Sequence, residues 1–164
     1  MAVILRPMQA EDWPTLWDQI IRPVIRAGDT YTLPVEMNEA DARAYWERSA
    51  PWRVVVAELD GQILGTGKTG PNQQGPGARI ANGSYMVGAA ARGRGVGRAL
   101  VEDSLSWAKA QGYRGVQFNA VAESNRGAVR LYRDLGFDLI GTIPDGFDHP
   151  GEGPVGLHIM YHRF

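Results

Sequence analysis

Between Arg92 and Arg98 the chain reads Arg-Gly-Arg-Gly-Val-Gly-Arg, three glycines and three arginines within seven residues. The chemistry such a stretch can do is anion binding. Gly83-Ser84-Tyr85-Met86-Val87 before it reads as a strand, and the amphipathic run up to Gly112 after it reads as a helix. A glycine turn between the two leaves several backbone N–H groups unpaired at the positive end of the helix dipole, where a phosphate or pyrophosphate fits. Glycine lets the anion approach the backbone, and arginine adds charge and forked donors. The Walker pattern fails, because Arg98-Ala99 stands where Lys-Ser or Lys-Thr is required. The dinucleotide fingerprint fails too, because Arg98 or Leu100 occupies its third glycine position. What remains is Arg92-x-x-Gly95-x-Gly97. A surface turn capping a helix is the other use of such glycines.

A second set of polar residues lies downstream. Asn125 and Tyr132 are seven apart, so on a helix their side chains lie roughly 20° apart around the axis, within the apolar arc of Ala128, Val129, Leu131 and Leu135. They are either a helix cap and a core tyrosine, or a polar pair lining a cleft. Asn119 interrupts an otherwise apolar strand, Gly115 to Val121, where an unpaired amide is costly. It is bonded to backbone or turned to a ligand, and the same choice holds for Asn82. A general base is not evident: neither Arg79 to Val87 nor Gly115 to Val121 carries a carboxylate. Glu58, Glu123, His149 and His158 have no positional support as the base. With no third ligand beside His158 and His162, no metal site is expected.

These residues need a scaffold, and the chain supplies a regular one. Its 164 residues favour a single domain over 1–164, and a net charge of −1 gives no general pull towards nucleic acid or anionic membrane. There are no cysteines, which excludes disulfides and acyl-cysteine intermediates. No apolar run has membrane-spanning length and no signal pattern is read at the start, so a cytoplasmic protein is expected.

Ala2 to Arg6 reads as a strand. Ala10 to Ala27 reads as a helix that Pro23 should kink or break, and Glu39 to Ser49 as a second helix. Trp52 to Leu59 and Gln62 to Thr69 form a hairpin about Asp60-Gly61. Arg79 to Val87 is the strand before the glycine turn, and Gly95 to Gln111 the helix after it. Gly115 to Val121 is a buried strand, Asn125 to Leu135 a helix, Phe137 to Thr142 a strand, Pro144 to Pro154 a loop, and Val155 to Tyr161 the last strand. The class is α/β with a mixed sheet, since hairpin-joined and helix-joined strands coexist.

The element order, together with Arg92-x-x-Gly95-x-Gly97, resembles the GCN5-related N-acetyltransferases. Val87-x-Ala89 stands where that family usually has Val-x-Pro, Asn125 opens the later helix, and Leu131-Tyr132-x-x-Leu135-Gly136-Phe137 matches the family's Leu-Tyr-x-x-x-Gly-Phe. The resemblance implies a mostly antiparallel twisted sheet of about seven strands flanked by about four helices. It implies acetyl-coenzyme A as cosubstrate, held by Met86, Val87, Ala89, Arg92, Gly93, Arg94, Gly95, Val96, Gly97, Arg98 and Asn125. It implies direct attack in a ternary complex, with an N–H near Val87 polarising the thioester carbonyl and Tyr132 protonating the thiolate.

A narrower resemblance, in Asn82 to Val87, Gln117 to Val121 and Asp148-His149-Pro150, is to the branch containing the azetidine-2-carboxylate (proline-analogue) acetyltransferases. It implies that Asn82 and Asn119 hold the acceptor, and Asn119 is placed in the catalytic set. The acceptor pocket is expected from the first helix pair, the Tyr31 region and the Pro144 to Pro154 loop, with Tyr31 as an acceptor contact. The expected acceptor is a small-molecule amine. A peptide or protein acceptor, or a coenzyme-binding sensor without turnover, stays open. Homodimerisation through the last strands is expected.

Overall fold

The computed structural model describes residues 2–164. Seven strands form one sheet in the order β1-β2-β3-β4-β5-β7-β6, where β1 is Ile4–Pro7, β2 Arg53–Leu59, β3 Gln62–Pro71, β4 Ala81–Val87, β5 Gly115–Ala122, β6 Asp138–His149 and β7 Gly153–Arg163. Every neighbouring pair is antiparallel except β4 and β5. The β2–β3 turn has positive φ at both Asp60 (55°) and Gly61 (74°), the two-residue turn whose twist matches the strands.

The first helical run covers residues 13–27 without a break: α1 (Trp13–Leu16), a π-helical turn (Trp17–Ile21) and α2 (Arg22–Ala27). The expected kink at Pro23 is replaced by that π turn. Arg22 N–H bonds the Trp17 carbonyl five residues back, so the wider turn absorbs the proline without breaking the run. Then come α3 (Glu39–Trp46), capped by the Asn38 side chain, α4 (Val96–Ala110) and α5 (Arg126–Asp134).

Strand alternation divides the sheet cleanly. Val56 and Met86 join the core of residues 13–27 and α3 on one face, while Val55, Ala57 and Leu64 pack with Val96 and Leu100 of α4 on the other. The faces of β4 follow: Asn82, Ser84 and Met86 face α1–α3, and Gly83, Tyr85 and Val87 face α4 and α5. Helix α4 lies flush because β3 offers it glycines. A Cβ on Gly65 would stand 2.8 Å from Val96 Cγ1, and one on Gly67 3.0 Å from the Tyr85 ring. Burying Val96 and Leu100 there contributes roughly 1.5–3 kcal/mol each.

Two expectations fail at the C-terminal end. The segment 144–154 is not a loop: β6 runs on to His149 through a bulge at Asp145 (φ 52°) and turns directly into β7. And β5 is not buried throughout. A register shift against β7 between Phe118 and Val121 leaves Asn119 and Ala120 exposed.

Candidate active site

Strands β4 and β5 bridge only at Ala81–Val116 and Asn82–Gln117, then part. The rest of β4 therefore has one bare edge. Gly88 N–H bonds the Leu64 carbonyl and Asn72 N–H bonds the Ile80 carbonyl, both at 2.9 Å. Antiparallel ladders alternate, so the N–H and C=O of Ser84 and Met86 point to β3, while those of Tyr85 and Val87 point into the wedge. Of the three residues expected to serve the coenzyme at this strand end, Val87 alone presents its backbone there from within β4. Met86 spends its backbone on β3 and is 1% exposed in the core, and Ala89 begins the 3₁₀ turn Ala89–Ala91. Tyr31 confirms the direction of the bare edge, because its hydroxyl donates to the Tyr85 carbonyl at 2.7 Å.

At the mouth of the wedge the glycine loop delivers α4. Gly93 and Gly95 have φ of 71° and 78°, the left-handed region that glycine occupies freely. Gly95 is the N-cap. No side chain caps the helix, its first turn has no acidic residue, and its first backbone bond is Ala99 N–H to Gly95 C=O. The N–H groups of Val96, Gly97 and Arg98 are thus left without intrahelical partners at the positive end of a 15-residue helix. Gly97 is where elements converge: a Cβ there would be 3.8 Å from both Val87 and Leu131 of α5. Arg94 is tied to Asp60 at 2.8 Å and Arg98 lies 3.6 Å from Glu102 and from Asp134, whereas exposed Arg92 forms no ion pair among the described residues.

Helix α5 closes the wedge from the other side. The Tyr132 ring packs on Phe118 of β5 at 4.5 Å and on Phe137 at 5.8 Å, and Phe118 meets Tyr85 edge-on at 5.8 Å. Burial pushes the Tyr132 phenol up to about 12, so it stays protonated and able to donate at neutral pH. Asn125 caps α5, its Oδ1 accepting Ala128 N–H at 3.4 Å.

The other expected residues are placed as follows. Asn82 Nδ2 donates to the Gln117 carbonyl at 3.0 Å. Asn119 is exposed, donates to Asn72 Oδ1 at 2.7 Å and accepts from Gln117 Nε2 at 2.9 Å. Both face the α1–α3 side, engaged in an amide network rather than isolated in apolar surroundings. The carboxylates and imidazoles considered as bases are all occupied. Glu58 binds Arg6, Glu123 accepts Gly156 N–H at 3.0 Å, His149 Nδ1 accepts Gly151 and Glu152 N–H at 3.0 Å each, and His158 shares a 2.7 Å hydrogen bond with Thr142. Among the described residues no three His, Cys, Asp or Glu side chains gather as metal ligands.

Two residues that sequence reasoning passed over stand beside this site. Lys68 of β3 is 3% exposed, with Nζ donating to the Tyr45 carbonyl at 2.7 Å. Tyr45 lies against Ser84 of β4, and burial raises the Tyr31 phenol well above its ordinary value. The available signal was a lone charge in the interior of a strand of small residues, Leu64-Gly65-Thr66-Gly67-Lys68-Thr69-Gly70.

The family model described as Acetyltransferase (GNAT) family matches residues 13–137. A GCN5-related N-acetyltransferase from Kribbella flavida is 44% identical, with a TM-score of 0.95 over 99% of this chain and 98% of that one. A phosphinothricin acetyltransferase from Sinorhizobium meliloti, solved with acetyl-coenzyme A, has a TM-score of 0.88 over 100% of this chain and 89% of that one; at 21% identity it speaks for the fold alone. The N-acetyltransferase aca1 of Schizosaccharomyces pombe is 28% identical over 156 residues, 85% of this chain and 75% of that one. With a parted β4–β5 pair beside an uncapped helix start, and with the family model covering most of its length, this chain belongs to the acetyltransferase (GNAT) family.

Proposed function

We propose that the protein transfers the acetyl group of acetyl-coenzyme A to the amine of a small molecule, by direct attack within a ternary complex. The observation that carries this reading is the bare edge of β4 leading to the free N–H groups of Val96, Gly97 and Arg98. That line offers backbone partners to an extended amide chain and donors to a pyrophosphate at its end. Arg92, Gly93, Arg94 and Asn125 complete the coenzyme contacts in this reading. An N–H at the wedge polarises the thioester carbonyl, the neutral amine attacks, and Tyr132 gives its proton to the departing thiolate.

Tyr31, Asn82 and Asn119 serve the acceptor side. The azetidine-2-carboxylate branch supplies the guide to acceptor class, an amino acid or imino-acid analogue. The readings of a cytoplasmic enzyme and a homodimer belong to the same proposal. A peptide acceptor needs an open groove on the α1–α3 side, whereas the Tyr31 hydroxyl bridges from the helical region to β4 across that face. The test is a panel of free amines, amino acids and N-terminal peptides with acetyl-coenzyme A, read by release of thiol. Turnover of small amines is expected. Turnover of peptides alone would replace the small-molecule reading, and tight coenzyme binding with no turnover would make the protein a sensor.

A further inference from the structure

On the α1–α3 face two cations stand without a counter-charge. Lys68 pairs across the sheet with Ser84 and is almost wholly buried. Its Nζ lies 3.4 Å from the Tyr45 ring centroid, 5.2 Å from that of Trp46 and 5.7 Å from that of Trp52. An ammonium has three donors, and Tyr45 C=O takes one. Arg48 is near enough to repel it, with its guanidinium 4.8 Å over Trp52. Neither cation forms an ion pair with a carboxylate among the described residues. A buried ammonium without a counter-ion is costly. The aromatic faces recover part of that cost, yet burial still pushes Lys68 down to about 7.

This corner is connected to the wedge. Tyr45 lies against Ser84, and Tyr31 donates its hydroxyl to the carbonyl of the next residue, Tyr85. Lys68 and Tyr45 thus both meet β4 at Ser84, one residue before the Tyr85 backbone that borders the wedge. Ser84 precedes Val87 by three residues on β4, a separation of about 10 Å, which a lysine side chain and an amino-acid-sized molecule cover between them. Asn82 and Asn119 are neutral and already bonded within the protein, so they cannot supply the missing charge.

We propose that Lys68, with Arg48 beside it, is the anion anchor of the acceptor site and holds an acid group of the acceptor while its amine lies at the wedge. The proposal rests on the acetyl-transfer reading and adds the requirement that the acceptor be an acid. A carboxylate there takes the donors that Tyr45 leaves and provides the counter-charge that the fold omits.

The experiment compares amino and imino acids with their own primary amides as acceptors, in the wild type and in Lys68→Met. The wild type should favour the acid over its amide by at least tenfold in kcat/KM, and Lys68→Met should collapse that ratio towards one. Lys68→Arg should keep part of it. Wild-type indifference to the acid group, or a folded Lys68→Met that keeps the preference, overturns the anchor while acetyl transfer stands. A second readout needs no turnover: N-acetyl-L-amino acids titrated by calorimetry into the coenzyme A complex. Their affinity should weaken as pH rises from 7 to 9, because the ammonium loses its proton, and should lose that slope in Lys68→Met. Absence of binding by any of these acids to a protein that does bind coenzyme A also overturns it. Failure to bind coenzyme A at all would instead undo the acetyl-transfer reading.

Discussion

One oxygen atom separates the proposed catalytic role of Tyr132 from its packing. Tyr132→Phe keeps the contacts with Phe118 and Phe137 and removes only the hydroxyl. The expected result is a turnover slowed by roughly 10²- to 10⁴-fold, the range for a lost general acid, with the coenzyme dissociation constant and melting temperature near wild type. Full activity would assign the proton to water. Lys68 gives a residue-scale signature in stability. Its folded pKa of about 7 lies below its ordinary 10.5, so between those values the unfolded chain binds a proton that the folded chain does not. This contribution is complete above the ordinary value and is lost as pH falls towards 7. Denaturant titrations should therefore show the wild type gaining stability relative to Lys68→Met from pH 7 to 9.5, and a flat difference would show that Lys68 stays charged throughout. Lys68 was not legible in the sequence, because a charge in a strand reads equally as an edge residue or a solvated face. Only the packing of Tyr45, Trp46 and Trp52 around it reveals a buried cation.

The element that matters most is α4, and two glycines test it differently. Gly97 is helical and meets nothing closer than 3.8 Å, so Gly97→Val should fold and lose coenzyme affinity, because the added side chain occupies the anion's approach to the backbone. Calorimetry showing unchanged affinity would remove the loop from the coenzyme site. Gly65→Ala acts from beneath. Its Cβ would press on Val96 and Leu100, at 2.8 and 3.1 Å, and lift the start of α4 from the sheet. A loss of about 1–3 kcal/mol is expected, together with weaker coenzyme binding, because Gly65 lies across the ladder from Val87 and beneath Val96. A melting curve and a binding isotherm on the same sample decide it. The strand–glycine–helix succession was legible because local residue types fix it: glycines allow the left-handed turns, and the apolar arc fixes the buried face. The π turn before Pro23 was not, since a proline in a helical pattern gives the same letters for a kink, a break or a widened turn.

At the scale of the whole molecule, β6 is the exposed edge of the sheet and carries Leu139, Ile140 and Ile143 at 39%, 61% and 53% exposure. Apolar side chains on an unpaired edge invite a partner strand or face. Light scattering at micromolar concentration should give the mass of two chains, and Ile140→Lys with Ile143→Lys should give one. A monomeric wild type would remove the dimer. The sequence by itself determined the strand and helix order, the mixed sheet, the glycine turn before α4 and the polar residues of the later helix. These are matters of local periodicity, turn chemistry and spacing. Tertiary structure alone decided three things. It parted β4 from β5 after Asn82, which leaves the backbone of Tyr85 and Val87 without a strand partner on that side, because pairing across 35 residues is not a local property. It engaged Asn82 and Asn119 in hydrogen bonds by bringing Asn72, after β3, and Asn82 of β4 to Asn119 and Gln117 of β5. And it buried Lys68 with no carboxylate beside it, because a counter-charge, or the lack of one, is a fact about which distant side chains meet.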